Sequence, residues 1–214
     1  TLKNDFVELR NTGSSAVSIG GMRLEYRSAT GSGASTNITA LPAVDLPPGR
    51  TFLVQESQGA GGTVDLPTPD ATGTIAMGAT GGQVYLVKAS APDPFDPGTG
   101  NISNADVIDF VGWGVSGSNP ATSYETARGA TTTNTTSISR DAMGTDTNDN
   151  SADFPAAGTP TPAACGSDCV ATPPPPPTEA TIAQIQGTDA DVSPLAGDRV
   201  TTQGVVTAAY PTGG

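Results

Sequence analysis

Short runs of two-residue alternation, interrupted by glycine and proline, constrain this chain more than any other feature. In residues 22–27 (MRLEYR), apolar and charged side chains alternate, which is the pattern of a β-strand. The 214 residues include 27 glycines and 19 prolines, a content typical of short strands joined by turns. No window of about 11 residues has a helical period. The sequence therefore predicts an all-β fold.

Six segments have the composition of strands, and each is bounded by residues that favour turns. They are residues 6–10, 22–27, 50–55, 83–88, 107–112 and 136–140. This number of short strands favours a sandwich of two antiparallel sheets, with a barrel as the alternative.

The alternation also predicts which side chains face the core. In residues 22–27, we expect the apolar residues to face inward, and Arg23, Glu25 and Arg27 to face solvent. The side chains predicted to lie mostly inside are Val7, Leu9, Leu24, Tyr26, Leu53, Leu86, Ile108 and Phe110.

Three aromatic residues admit two interpretations. Only 5% of the residues are aromatic, so a sandwich needs most of them to fill its interior. We therefore expect Tyr85, Phe110 and Trp113 in the core. The alternative is an exposed platform that binds a sugar or a partner protein.

Charge and the missing histidine exclude several classes of function. The formal net charge is -12, with no basic cluster to offset it, so we expect no direct binding of nucleic acid. Because the sequence has no histidine, neither a Ser-His-Asp arrangement nor a histidine-based zinc site can form. No stretch approaches the roughly 20 apolar residues that span a bilayer. The residues therefore predict neither an active site nor a required cofactor.

Composition changes at residue 156. Residues 156–178 are predicted to be a proline-rich linker, because they include the run 173–177 (PPPPP) and carry no apolar face. Cys165 and Cys169 are predicted to form a disulfide, as in an exported protein, with a reduced pair as the alternative. Residues 179–214 resume a strand-like pattern in a segment too short for a core of its own.

Several motifs occur in the same order as in one known family. They are residues 5–11 (DFVELRN), 20–24 (GGMRL), 46–50 (LPPGR), 107–114 (VIDFVGWG), 137–140 (SISR) and 149–154 (DNSADF). On these motifs, residues 1–155 resemble a lamin tail domain. The resemblance implies an immunoglobulin-like β-sandwich whose first strand lies before Thr1.

The C-terminal segment carries a second resemblance. Residues 182–187 (IAQIQG) and 204–207 (GVVT) are similar to the start of the OB-like domain that precedes the catalytic domain in secreted bacterial nucleases of the endonuclease/exonuclease/phosphatase type. Residues 179–214 would then be the beginning of a truncated OB-like domain. The resemblance implies downstream OB-like and catalytic domains as partners, with Mg²⁺ or Mn²⁺ bound only in that catalytic domain.

Together, the two resemblances imply a non-catalytic accessory module on the N-terminal side of a bacterial nuclease that is secreted or held at the cell surface. Its role would be targeting, spacing or interaction with a ligand that the sequence does not identify. The alternative is a cell-surface adhesion or carbohydrate-binding module with no nuclease attached.

One loop carries a partial calcium pattern. Asp146, Asn148 and Asn150 match the first three ligand positions of an EF-hand loop, and Asp153 adds another carboxylate. The match fails at Ser151, where the loop needs glycine, and again where it needs a bidentate glutamate. These residues therefore form a candidate site for weak calcium binding: Asp146, Asn148, Asn150 and Asp153. The alternative is an Asx-rich turn.

Overall fold

Strands make up most of the regular structure of this chain, as its alternation predicts. The computed structural model describes residues 1–115, 119–172, 176–187 and 193–203, and the fold is all-β. The chain divides into two compact units, Thr1–Thr172 and Pro173–Gly214. Within the described ranges, no helix has both the length and the apolar character needed to cross a membrane.

All six segments predicted to be strands contain strands, and shorter strands lie between them. In chain order, the strands of the first unit are β1 (Asn4–Arg10), β2 (Val17–Ser18), β3 (Arg23–Ser28), β4 (Asn37–Ala40), β5 (Val44–Leu46), β6 (Thr51–Gln58), β7 (Ala71–Thr72), β8 (Gly82–Val87), β9 (Gly100–Asn101), β10 (Val107–Trp113), β11 (Ser123–Tyr124), β12 (Ser137–Ile138), β13 (Ala157–Gly158) and β14 (Val170–Ala171). Helix α1 (Asn150–Asp153) and a 3₁₀ turn (Gly166–Asp168) complete the unit.

Two sheets form the body of the first unit. Strands β1, β6 and β7 make one sheet, and β10, β8, β3 and β4, in that order, make the other. All neighbours in the second sheet are antiparallel, and β1 pairs antiparallel with β6. The turn before β6 places Gly49 at φ 72°, a left-handed conformation that glycine adopts at little cost.

The two sheets share one apolar core. Phe52 of β6 and Leu24 of β3 lie in the same cluster, and each is 1% exposed. Val7, Leu9 and Leu86 pack against it and are partly buried. Burying a large apolar side chain contributes about 1.5 to 3 kcal/mol, so this cluster stabilises the contact between the sheets. Other predicted core residues that are buried are Tyr26, Leu53 and Phe110.

Ile108 was predicted to lie inside, and this prediction is wrong, because Ile108 is 41% exposed. The cause is an irregularity in the pairing of β10 with β8. Val107 lies opposite Val87 and Asp109 lies opposite Leu86, so Ile108 is an extra residue without a partner. Such a β-bulge breaks the two-residue alternation and turns the extra side chain out of the sheet.

The prediction that one face of β3 is in contact with solvent is also wrong. Arg23 is 9% exposed, Glu25 is fully buried and Arg27 is 4% exposed. The connection between β8 and β10 folds back over this face and builds a second apolar cluster against it. The buried members of this cluster are Tyr85, Val87, Ala91, Phe95, Ile102 and Phe110.

Residues 157–172 belong to the first unit, although the sequence predicted them to be part of a linker. Strand β13 pairs with β12, and β14 pairs with β5. Cys165 is 7% exposed and lies in the core cluster shared by the sheets. The pairing partners lie far away in the sequence, so composition alone gave no sign of them. Of the proline run, residues 173–175 lie outside the described residues.

The second unit contains β15 (Thr178–Glu179), α2 (Ile182–Gln186) and β16 (Val200–Thr201), and β15 pairs with β16 in parallel. The prediction that residues 179–214 have a strand-like pattern is wrong for Ile182–Gln186, because these residues form a short helix that starts with a capping box between Thr181 and Gln184. The motif at residues 204–207 lies outside the described residues, so the OB-like resemblance stays a prediction.

Candidate functional site: two clusters of buried charge

The outer face of β3 carries a cluster of charged and polar side chains, called here the β3 polar face, which consists of Arg23, Glu25, Arg27, Gln83 and Tyr85. In the pairing of β3 with β8, Glu25 lies opposite Tyr85, and Arg27 lies opposite Gln83. Arg23 Nε donates to Glu25 Oε1 over 2.6 Å, and Arg27 Nη2 donates to Gln83 Oε1 over 2.8 Å. Glu25 is thus paired with Arg23, and Arg27 Nη1 lies 3.6 Å from Asp96 Oδ1, so these buried charges have ionic partners, as burial requires.

The two arginines also bind the connection that covers them, residues 88–106. Arg23 Nη2 donates to the Pro92 carbonyl over 2.5 Å, and Arg27 Nη2 donates to the Gly98 carbonyl over 2.9 Å. A hydrogen bond from a charged donor contributes about 1.5 to 3 kcal/mol. The β3 polar face therefore clamps a long loop onto the sheet.

Three buried polar atoms of this face have no hydrogen-bond partner among the described residues: Glu25 Oε2, Arg27 Nε and Tyr85 Oη. Burial, followed by the charge of Glu25, raises the pKa of the Tyr85 hydroxyl. Tyr85 therefore stays neutral at physiological pH. A neutral phenol beneath a clamped loop supplies no general base.

A second group of charges, called here the Arg140 cluster, consists of Arg140, Asp109, Glu125, Asp146 and Asp153. Arg140 Nη2 donates to Asp109 Oδ1 over 2.8 Å, and Nη1 donates to Asp146 Oδ1 over 3.2 Å and to Asp153 Oδ2. One oxygen each of Asp109, Glu125 and Asp146 lies within 4.8 Å of the other two. The Arg140 guanidinium thus forms ion pairs with three carboxylates. Their formal negative charge exceeds its single positive charge.

Asn150 ties this cluster to the edge of the second sheet. Its side chain is fully buried, and Oδ1 accepts from the backbone N–H groups of Gly112 over 2.8 Å and Glu125 over 3.1 Å. Its Nδ2 donates to the Phe110 carbonyl over 2.8 Å and to Glu125 Oε2 over 3.1 Å. The Asn150 amide therefore supplies the hydrogen bonds that a further strand would make at this edge of β10.

The carboxyl groups of the Arg140 cluster differ in their pKa values. Burial, together with the charges of Asp109 and Asp146, raises the pKa of Glu125 to about 7. Burial also raises the pKa of Asp109, more than Arg140 lowers it. For Asp153, burial acts to raise the pKa, but hydrogen bonds to its carboxylate and the charge of Arg140 lower it overall. Glu125 is thus the group that changes charge near neutral pH.

The four residues predicted as calcium ligands all make hydrogen bonds to other groups of the protein. Asp146 and Asp153 form ion pairs with Arg140. Asn150 directs its amide to the backbone of β10 and to Glu125. Asn148 donates its N–H to Asp146 Oδ1 over 3.0 Å, as in an Asx turn. The hydrogen bonds of an Asx-rich turn are therefore present, and calcium binding stays a prediction.

A third buried carboxyl, Glu56 on β6, also has a structural role. It is 1% exposed, and its Oε2 accepts from Thr39 Oγ1 over 3.0 Å and from the Ile75 N–H over 2.9 Å. Burial raises its pKa, although these hydrogen bonds oppose the shift. Glu56 thereby fixes the segment after β7 against β4 and β6.

Cys165 and Cys169 form the predicted disulfide. The N–H groups of Cys165 and Gly166 each donate to the Asp70 carboxylate over 2.7 Å. Asp70 Oδ2 also accepts from the Leu53 N–H of β6 over 2.8 Å. The bridge therefore closes a turn that is docked on the first sheet, whereas the sequence predicted an exposed linker loop.

Sequence reasoning found two of the carboxylates around Arg140 but missed the arginine itself. The sequence signal that could have indicated Arg140 was the small number of basic residues, because the chain has 9 basic residues against 21 acidic ones. Three of the basic residues, Arg23, Arg27 and Arg140, have side chains that are 13% exposed or less.

No protein-family model matches this chain, and no curated protein matches it either.

Proposed function

We propose that this chain is a non-catalytic accessory module, for targeting, spacing or interaction, on the N-terminal side of a secreted or cell-surface bacterial nuclease. One observation supports the non-catalytic role above all others. The buried charged groups are committed to the fold, since Arg23 and Arg27 bind the 88–106 loop and Arg140 binds carboxylates around α1. An active site instead needs polar groups that are free to meet a substrate.

The nuclease part of the proposal depends on the sequence resemblances at the two ends of the chain. The Cys165–Cys169 disulfide supports export, because disulfides persist mainly outside the cytosol. Mg²⁺ or Mn²⁺ would belong to the downstream catalytic domain. This chain would contribute no ligand to those ions.

The charge distribution supports a role that does not involve gripping DNA. The net charge is -12, and non-specific affinity for DNA comes largely from Lys and Arg that neutralise phosphates. Arg23, Arg27 and Arg140 are buried in internal contacts, which leaves still fewer basic side chains for phosphates.

The adhesion or carbohydrate-binding alternative receives less support. A sugar-binding platform needs exposed aromatic rings, and Tyr85, Phe110 and Trp113 are 1%, 0% and 6% exposed. The expectation that these three rings fill the core is therefore confirmed.

A nuclease assay tests the proposal directly. The chain of residues 1–214 and the full-length protein are incubated with DNA and either Mg²⁺ or Mn²⁺. We expect the full-length protein to cleave and this chain neither to cleave nor to retard DNA in a gel at physiological salt. Cleavage by this chain alone would refute the accessory role, and inactivity of both proteins would favour the adhesion alternative.

A further inference from the structure

The β3 polar face holds three buried polar atoms that lack a hydrogen-bond partner in the part of the chain that the structure describes. They are Glu25 Oε2, Arg27 Nε and Tyr85 Oη. The three residues are 0%, 4% and 1% exposed, so bulk solvent does not reach these atoms. An unpaired polar atom in such a position destabilises the fold. The three atoms therefore point to a partner that the described protein groups do not supply.

The three side chains are neighbours on one face of the second sheet. Glu25 of β3 lies directly opposite Tyr85 of β8, and side chains that are directly opposed share a face. Arg27, two residues along β3, shares that face, and its guanidinium carbon lies 5.6 Å from the centre of the Tyr85 ring. Burial and then the charge of Glu25 raise the pKa of the Tyr85 hydroxyl, as expected of adjacent groups. The unpaired atoms therefore lie in one small region.

The 88–106 loop closes over this region. Arg23 donates to the Pro92 carbonyl over 2.5 Å, and Arg27 donates to the Gly98 carbonyl over 2.9 Å. Between these two anchors, the Phe95 ring packs on the Tyr85 ring, with the ring centres 6.4 Å apart. A partner for the unpaired atoms must therefore be small enough to remain beneath the loop.

The chemistry of the three atoms restricts the partner further. Glu25 Oε2 is an acceptor, Arg27 Nε is a donor, and the neutral Tyr85 hydroxyl can act as either. A cation would satisfy Glu25 but would leave the Arg27 N–H unpaired, and an anion would be repelled by Glu25. Water both donates and accepts, and a buried water molecule typically makes about three hydrogen bonds to groups of this kind.

We propose that the β3 polar face binds one water molecule, which donates to Glu25 Oε2 and accepts from Arg27 Nε, with Tyr85 Oη as its third partner. This inference does not depend on the proposed function. The water joins the two anchors of the 88–106 loop, because Glu25 Oε1 already accepts from Arg23. One chain of hydrogen bonds then runs across β3 from the Pro92 carbonyl to the Gly98 carbonyl.

A crystal structure of residues 1–214 tests the site directly. At a resolution that shows ordered water, we expect one water oxygen within about 2.5 to 3.2 Å of all three atoms. No density at this position overturns the proposal, as does a direct hydrogen bond between Tyr85 Oη and Glu25 Oε2 in its place. A halide there, identified by anomalous scattering from crystals grown in bromide, overturns it too.

NMR tests the same site in solution. We expect a contact between water and the Arg27 Hε proton whose cross-peaks have opposite signs in NOESY and ROESY spectra, as a long-lived bound water gives. Arg10, which is exposed, is the matched control, and its Hε should show no such contact. The same signal at both arginines, or none at Arg27, would contradict a bound water.

Tyr85→Phe keeps the ring and removes the third partner of the water. We expect the folding equilibrium constant, measured by urea unfolding, to fall about two- to tenfold, which is the usual effect of one lost hydrogen bond. Tyr124→Phe, at a half-buried ring outside this face, is the matched control and should leave the constant unchanged. Unchanged or greater stability of Tyr85→Phe would show that the hydroxyl has no partner and would overturn the three-partner site.

Discussion

The β3 polar face contains more arginines than carboxylates, whereas the Arg140 cluster contains more carboxylates than arginines. On β3, Arg23 and Arg27 flank a single glutamate, and each arginine also donates to a backbone carbonyl of the covering loop. Around Arg140, a group of carboxylates shares one guanidinium. Arginine keeps its proton in proteins, so the first arrangement holds its positive charge at every physiological pH. The second holds more carboxyl groups than positive charges, so its net charge depends on how many of those groups carry a proton.

The largest effect is expected at Arg23. Replacing it in Arg23→Met leaves Glu25, which is fully buried, without its ion-pair partner, and the Pro92 carbonyl without a donor. Breaking a buried ion pair on one side costs about 3 to 5 kcal/mol. Urea unfolding of the variant measures the loss. A loss below about 1 kcal/mol would mean that this face behaves like a solvent-exposed surface.

A neighbouring substitution tests the other face of the same strand. Leu24→Ala removes a side chain that is 1% exposed, and such truncations cost about 2 to 5 kcal/mol. We therefore expect Arg23→Met and Leu24→Ala to be similarly destabilising in urea unfolding, although the two side chains point in opposite directions. A much larger loss for Leu24→Ala would restore the half-exposed strand that the sequence predicted.

Arg140→Gln should destabilise less, and by an amount that depends on pH. Asp146 is 41% exposed, so part of the lost attraction is compensated by water. We expect a loss of about 3 kcal/mol at pH 8 and a smaller one at pH 5, because the carboxyls left behind can then take up protons. Urea unfolding at both pH values measures the difference. Equal losses would show that the cluster does not exchange protons in this range.

The two clusters show which features of the fold can be predicted from the sequence and which cannot. Alternation in residues 22–27 correctly predicted β3 and the inward side of Leu24. It could not show that the loop carrying Phe95 covers the opposite side, because that contact joins segments far apart in sequence. Alternation is a local property, and the coverage of a sheet face is not.

The Arg140 cluster was only partly predictable for the same reason. The Asx-rich composition around Asp146 and Asp153 predicted a turn rich in side-chain hydrogen bonds, and that turn forms. Glu125 and Asp109 reach the cluster from other parts of the chain. Asn150 looked like a surface ligand, because nothing in its neighbours indicates that it completes the edge of β10.

Opening the disulfide should have a moderate effect. A ring that closes between residues four apart restricts the unfolded chain by about 2 kcal/mol. Because Cys165 lies in the core cluster, we expect reduction to lower the stability of the first unit by about this amount, where a linker bridge would have had no effect. Thermal unfolding with and without a reductant, with free thiols counted, measures it. An unchanged melting temperature after full reduction would contradict the docked position of the turn.

The smallest effect on stability is expected for Lys3→Gln. This substitution separates the effect of burial on the strength of an ion pair from the effect of the distance between its atoms. Lys3 Nζ lies 2.8 Å from Asp65 Oδ1, the same separation as Arg140 Nη2 and Asp109 Oδ1. The Lys3 and Asp65 side chains are, however, 32% and 79% exposed, so water and salt screen their attraction. We expect a loss of less than about 1 kcal/mol in urea unfolding, and none in about 1 M salt. A loss as large as that of Arg140→Gln would mean that distance, rather than burial and charge balance, sets the strength of the ion pairs in this protein.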